Sequence, residues 1–269
     1  MSNLARVWFL LTLSSFAILI AGFYLGERQG LLIAFGIVLV LNTGVYFLAD
    51  LRVRNLFNGR PMLGQDPWGL GEMVEELAAK TRIPRPEVVV VPLKVPTALS
   101  TGRHWHHSTI FLSEGLLAQL TPQELKAVLA HEISKIKRLD TFAQSVSSTF
   151  AGGLLWLARR LDRLMFRRRA KFERMFEPVA LLPVHLSIPR SSYYAADELA
   201  SHLIGGPQLL AQVLWKLHSF AGTQPLEIPT STAHLFIVDP LTSSPFHRYF
   251  QKHPPIERRI EKLVGYFPV

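Results

Sequence analysis

Two long uncharged runs near the start constrain this chain more than any other feature. Val7 to Leu25 is nineteen residues without a charge, and Gly30 to Ala49 is twenty more. At the helical rise each reaches about 30 Å, the thickness of a bilayer's hydrocarbon. Only Glu27, Arg28 and Gln29 bring charge or an amide between them. The pair reads as a transmembrane helical hairpin over residues 1–50. A cleaved signal peptide is the competing reading, but a second span follows at once and no A-x-A site separates the two. Arg6 precedes the first run, and Arg52, Arg54 and Arg60 follow the second. Positive charge retained on the cytoplasmic side places both ends of the hairpin there, and with them residues 51–269.

Composition closes off several alternatives. Hydrophobic residues make up 49% and charged residues only 18%, with a mean hydropathy of +0.22. That excludes a disordered or nucleic-acid tail. The net charge is +9, but it is not a basic coat. Residues 159–174 hold eight Lys/Arg against two Asp/Glu, which is +6 of the excess. No nucleic-acid partner is expected. The absence of cysteine removes disulfides, thiolate metal sites and cysteine nucleophiles.

Two weaker apolar runs flank the basic cluster. Phe142 to Ala158 is seventeen residues with Gln144 and several hydroxyls; Pro178 to Pro189 is twelve and carries His185. If the first crossed outward, the cluster would lie outside, against the charge bias. The expectation is therefore a membrane-associated helical insertion at about 141–189. It dips into or lies against the bilayer, with its arginines at the cytoplasmic headgroups. A buried helix followed by a solvated basic face explains the same pattern equally well, and a spanning second hairpin is the third reading. Residues 159–174 also carry an anionic-lipid-binding reading, with a plain positive-inside anchor preferred to it.

Elsewhere the pattern is mixed. Residues 68–82 have helical spacing and end at Pro84. The run 87–93 is β-branched, and 97–102 and 107–115 read as two more strands. Thr121, Pro122 and Glu124 open a helix as cap, first residue and capping-box partner. That helix runs to about Leu139. Further helices are read at 191–204, 208–221 and 256–264, with a short apolar stretch at 234–241. The fold class is α+β, mainly helical, with a small antiparallel sheet against the helix that begins at Thr121.

That helix carries the chemistry. His131 and Glu132 are adjacent, and the position four after His131 is Lys135. In H-E-x-x-H, two histidines one turn apart bind zinc and the glutamate activates its water. Three further stretches are informative: Thr97-Ala98-Leu99-Ser100-Thr101-Gly102, Ala233 to Leu241 (AHLFIVDPL), and His253 to Ile260 (HPPIERRI).

These stretches resemble, in order, the N-A-F-A-T-G, A-H-L-F-I-V-N-P-L and H-P-P-x-x-x-R-I patterns of the HtpX-type membrane zinc metallopeptidases. The likeness covers about residue 5 to residue 264. It implies a zincin-like domain, an integral protein of a bacterial inner (cytoplasmic) membrane with its main domain cytoplasmic, and cleavage of membrane or misfolded proteins. It also implies that 97–102 is the edge strand receiving an extended polypeptide. Thr97 stands where the pattern has Asn. The family's third ligand is the Glu of E-x-x-A-D; Tyr193 stands at that position, and Asp197 keeps the final Asp. Asp197 would orient His131 or pair with a cation such as Lys135.

Two of three implied ligands are thus missing. Two unit charges about 4 Å apart repel by about 4 kcal/mol at an effective dielectric near 20, and Zn²⁺ beside an ammonium carries twice that charge. The expectation is no metal cofactor. Lys135 takes the metal's place against Glu132 and Asp197, and Tyr193 fills the ligand side. His104, His106 and His107 are the one alternative metal cluster, read otherwise as a turn of partly exposed imidazoles. Two functions follow. One is a catalytically inactive pseudopeptidase, a membrane-bound binding module or accessory subunit with a membrane-protein or extended-polypeptide partner. The other is an active zinc endopeptidase with non-standard ligands, in which Glu132 remains the general base.

Overall fold

The computed structural model describes residues 3–57, 59–62, 66–165, 171–224, 226, 228–241 and 253–266, with the side chains of 48–54, 165 and 171–174 left aside. The side chains of Arg52 and Arg54 and of the cluster's Arg167, Arg168 and Arg169 lie outside the described residues.

The N-terminal hairpin forms. Helix α1 (Asn3–Phe57) is two arms broken at Gly26 and Glu27, where Glu27 has φ of 46°. Asn42 Nδ2 donates to Ser15 Oγ at 3.0 Å across the arms. A Cβ at Gly22 or Gly30 would overlap the other residue's backbone, so glycine lets the arms close tightly beside the turn. The stretch Asn3–Phe47 is long and apolar enough to cross a membrane. The second arm ends in the domain: Phe57 packs edge-to-face on Phe236, with ring centroids 5.7 Å apart.

The sheet comprises β1 (Arg60–Pro61), β2 (Glu87–Val91), β3 (Ala98–His104) and β4 (His107–Ser113), in spatial order β1-β2-β4-β3. It is mixed rather than antiparallel. β3 and β4 form the expected hairpin, but β2 pairs in parallel with β4. Periodicity sets which face a residue occupies, whereas strand neighbours are chosen by the crossover at 92–97. Alternation is strict. Val88, Ala98, Ile110 and Leu112 join the main core, and Val89, Leu99 and Phe111 join a second cluster with Phe57 and Phe236.

Helices α2 (Leu70–Thr81), α3 (Glu114–Gln119), α4 (Pro122–Lys137), α7 (Ser191–Ile204), α8 (Gln208–Thr223) and α9 (Ile256–Val264) complete the domain. Between them come α5 (Asp140–Met165), α6 (Lys171–Ser187) and a 3-10 turn at Thr230–Leu235. The capping box of α4 is present in both directions, and everything from Ala127 to Ile136 is buried. This helix is the spine of the domain. α2 and α8 lie against it in the main core, and α7 meets it through Asp197 and Ala200.

Candidate active site

Helix α4 presents His131, Glu132 and Lys135 inward, all 2% exposed or less. Residues three or four apart share a helix face, so Lys135 returns to its own helix. Its Nζ donates to Glu132 Oε2 at 2.8 Å and to Leu235 O at 2.7 Å. From the sheet, Ser100 Oγ donates a short hydrogen bond to the same Glu132 oxygen. Ser100 shares the face of Ala98, two residues away, which is why it points at α4.

His131 looks the other way. Its Nδ1 lies 2.9 Å from Asp197 Oδ1. Asp197 is also gripped by Arg259, with Nε to Oδ2 at 2.8 Å and Nη2 to Oδ1 at 2.7 Å. Burial works to raise the Asp197 pKa. The Arg259 guanidinium, then the hydrogen bonds from Arg259 and His131, outweigh it and hold the carboxyl below its usual value. Arg259 Nη1 donates further to Ile237 O at 2.6 Å.

Tyr193, one turn before Asp197 on α7, donates from its hydroxyl to His234 O at 2.9 Å. Burial raises its pKa well above a free phenol's, so it stays a donor. His253 Nε2 donates to Ala233 O at 3.1 Å, and its ring lies tilted against that of Tyr193, with centroids 4.7 Å apart. Burial lowers the His253 pKa to about 4, so this imidazole is neutral. The carbonyls of 233, 234, 235 and 237 thus accept from four buried side chains around the site.

Several expectations change here. Lys135 meets Glu132 but not Asp197, whose partner is Arg259, because α9 brings a bidentate guanidinium to it first. Residues 97–102 are not an open edge. All six are buried. Leu99 bridges to Phe236, and Ile237 N–H donates to Ala98 O at 3.1 Å. The chain covers its own edge strand at that point. His104, His106 and His107 are exposed at the β3–β4 turn. His104 and His106 stack with centroids 5.5 Å apart. His104 is four residues along β3 from Ser100, about 13 Å at the strand rise, and the turn is held to α4 by Trp105 Nε1 donating to Lys137 O.

Two contributors were undervalued in the sequence. Ser100 was read as strand edge, yet it stands where the N-A-F-A-T-G pattern has alanine, and a hydroxyl in place of a methyl was the signal. Arg259 is the arginine of H-P-P-x-x-x-R-I.

Catalytic zinc takes three protein ligands and an open position. Here one ligand-type position keeps its donor, His131. Lys135 is a cation and the Tyr193 hydroxyl is engaged elsewhere. Among the described residues no three His, Asp, Glu or Cys side chains come together to hold a metal ion. The residues present therefore do not fit the zinc that the resemblance implies. Buried His131 Nε2 and Glu132 Oε1 have no hydrogen-bond partner among the described residues.

A family model and two sequence relatives point to the same family. Residues 67–266 match the model of peptidase family M48. The protease HtpX homolog of Pyrococcus furiosus is 35% identical over 255 residues, covering 90% of this chain and 88% of that protein. The protease HtpX homolog of Syntrophobacter fumaroxidans is 34% identical over 279 residues, covering 98% and 99%. The crystal structure of S. mikatae Ste24p aligns with a TM-score of 0.48 at 18% identity, over 93% of this chain and 61% of that one.

Proposed function

Starting from the fact that this chain belongs to peptidase family M48, we propose that it is a non-catalytic member, a membrane-bound accessory or binding subunit rather than a protease. The observation that carries this reading is the Lys135 ammonium, 2.8 Å from Glu132 Oε2 inside the core. A general base must be free to take a proton from water. Glu132 instead shares one oxygen between Lys135 and Ser100. No metal cofactor is expected, because His131 alone is too poor a donor set.

The proposed partner is a membrane protein meeting the apolar helices. Strand addition at β3 would first have to displace Phe236 and Ile237. The cations that flank the hairpin support a domain on the cytoplasmic side, and the family resemblance supports a bacterial inner membrane.

The test is zinc per chain by mass spectrometry of the detergent-solubilised protein after mild chelation, beside cleavage of a generic unfolded substrate. We expect a ratio well below one and no cleavage. A ratio near one overturns the reading. Lys135→His with Tyr193→Glu is expected to restore zinc binding on this scaffold.

A second reading, an active endopeptidase with non-standard ligands, draws on the two unpartnered atoms, His131 Nε2 and Glu132 Oε1. Buried polar atoms are rarely left so. Cleavage that disappears in Glu132→Gln would establish it.

A further inference from the structure

Aromatic side chains mark one level along the N-terminal hairpin. Phe142 meets Trp8, with ring centroids 6.4 Å apart, and Tyr46, at 6.0 Å. Phe47 lies edge-on to Tyr46. Trp8, Tyr46 and Phe47 are exposed. Trp8 stands eighteen residues before the break at Gly26, and Tyr46 stands nineteen after Glu27. At 1.5 Å per residue each is about 28 Å from the turn, close to one hydrocarbon thickness. Amphipathic rings at that distance belong to the membrane–water interface nearest the domain.

The β3–β4 hairpin ends at the same level. Arg103, near the end of β3, lies over the rings of Phe47 and Tyr46, 5.2 and 6.0 Å from their centroids. A second path agrees. Leu99 and Phe57 are level, because both pack on Phe236. From there Arg103 is four residues along β3, about 13 Å, and Phe47 is ten residues back along α1, about 15 Å. The strand thus runs beside the second arm of α1 with its tip toward the bilayer. The tip is firmly held. Trp105 Nε1 donates to Lys137 O at 3.2 Å, and Lys137 Nζ lies 5.4 Å from the centroid of the Trp105 ring.

This tip is cationic and rich in donors. His104, His106 and His107 are exposed. The rings of His104 and His106 are parallel to within 2°, so their N–H donors lie side by side and suit a layer of acceptors. Arg103 sets its guanidinium against the aromatic rings and keeps in-plane N–H donors. Asp140, the carboxylate at the start of α5, is already held by Arg138 and Asn3.

We propose that the β3–β4 tip is a lipid-binding surface, at which Arg103, His104, His106 and His107 bind the phosphates of anionic phospholipids in the leaflet next to the domain. The occupant is the headgroup layer, because the aromatic level places the tip there. Phosphate oxygens accept from guanidinium and imidazole alike. Anionic lipid is preferred to zwitterionic lipid, because Arg103 and Lys137 are attracted by its net charge. The contact holds β3, and with it Ser100, at a fixed depth. The proposal does not depend on whether the active site is catalytic.

The absence of cysteine lets one probe be placed at a time. His106→Cys and a distant control, Ser219→Cys, are labelled with bimane in the full chain and reconstituted into nanodiscs. Ser219 is exposed, and its neighbour Lys216 bonds Glu124, at the opposite end of α4 from Lys137. The nanodiscs carry a headgroup-level nitroxide on either phosphatidylglycerol or phosphatidylcholine. Quenching at 106 is expected to exceed that at 219 by about fivefold. At 106 the phosphatidylglycerol nitroxide is expected to quench about twofold more than the phosphatidylcholine one. His104→Gln with His107→Gln, both at exposed positions, should lower that preference, and adding Arg103→Gln should abolish it. Quenching at 106 no greater than at 219 overturns the placement. Equal quenching by the two lipids, or a preference that the histidine pair leaves unchanged, overturns the lipid-binding surface.

Discussion

Two buried charge clusters sit back to back on neighbouring residues of α4, and they are built differently. On one side His131 meets Asp197, which two nitrogens of Arg259 grip while a third holds Ile237 O. On the other, Lys135 and Ser100 crowd one oxygen of Glu132 and leave the second without a partner. The first cluster uses residues that match the family pattern. The second uses Lys135 and Ser100, which depart from it. The Asp197 carboxylate, bonded through both oxygens, acts as scaffold, whereas Glu132, bonded through one, retains the outline of a reactive site.

Breaking each cluster separates these roles. Arg259→Ala leaves the Asp197 carboxylate buried with only His131. A loss of about 4 kcal/mol is expected in denaturant unfolding of the solubilised chain. Lys135→Met alone strands Glu132 and is expected to cost about 3 kcal/mol. Adding Glu132→Gln should return the double variant to within about 1 kcal/mol of the parent, because a buried pair contributes little net stability over a neutral replacement. The double variant Asp197→Asn with Arg259→Met should recover less: Ile237 O loses its donor, as Leu235 O does in the first double, and His131 Nδ1 loses its carboxylate contact as well. Equal recovery by the two doubles would erase the distinction. Tyr193→Phe removes only the hydroxyl from His234 O and is expected to cost about 1 kcal/mol.

The smallest effect lies outside both clusters. Hydrogen bonds from Lys126 and then Lys80 lower the Glu76 pKa to about 2. A depressed carboxyl contributes stability that is present above its unfolded value, about 4.3, and is lost as pH falls toward the folded one. Glu76→Gln should flatten the acid limb of the stability–pH curve between those values. The change should be slight, because the side chain is 40% exposed and solvent screens the pair.

Much of this architecture was legible in the chain itself. The capping residues and the break at Gly205 set α4 and α7 to within two residues, and the apolar runs set the hairpin. That Lys135 shares a face with Glu132, and Tyr193 with Asp197, could also be read, because a helix fixes which side chains lie together. The parallel pairing of β2 with β4 could not be read, because either neighbour satisfies the same alternation.

The sequence by itself determined the main helices, the strand alternation and the apolar N-terminal hairpin, all of which depend on residues close to one another in the chain. Only the tertiary structure decided that Asp197 pairs with Arg259, sixty-two residues later, that Ser100 reaches Glu132, and that residues 236 and 237 cover the edge strand. It also decided that α5 rises beside α1, because one buried amide, Asn3, reaches Asp140 across 137 residues of chain. Contacts of that range are selected by burial and charge satisfaction in the packed fold, and local spacing carries no record of them.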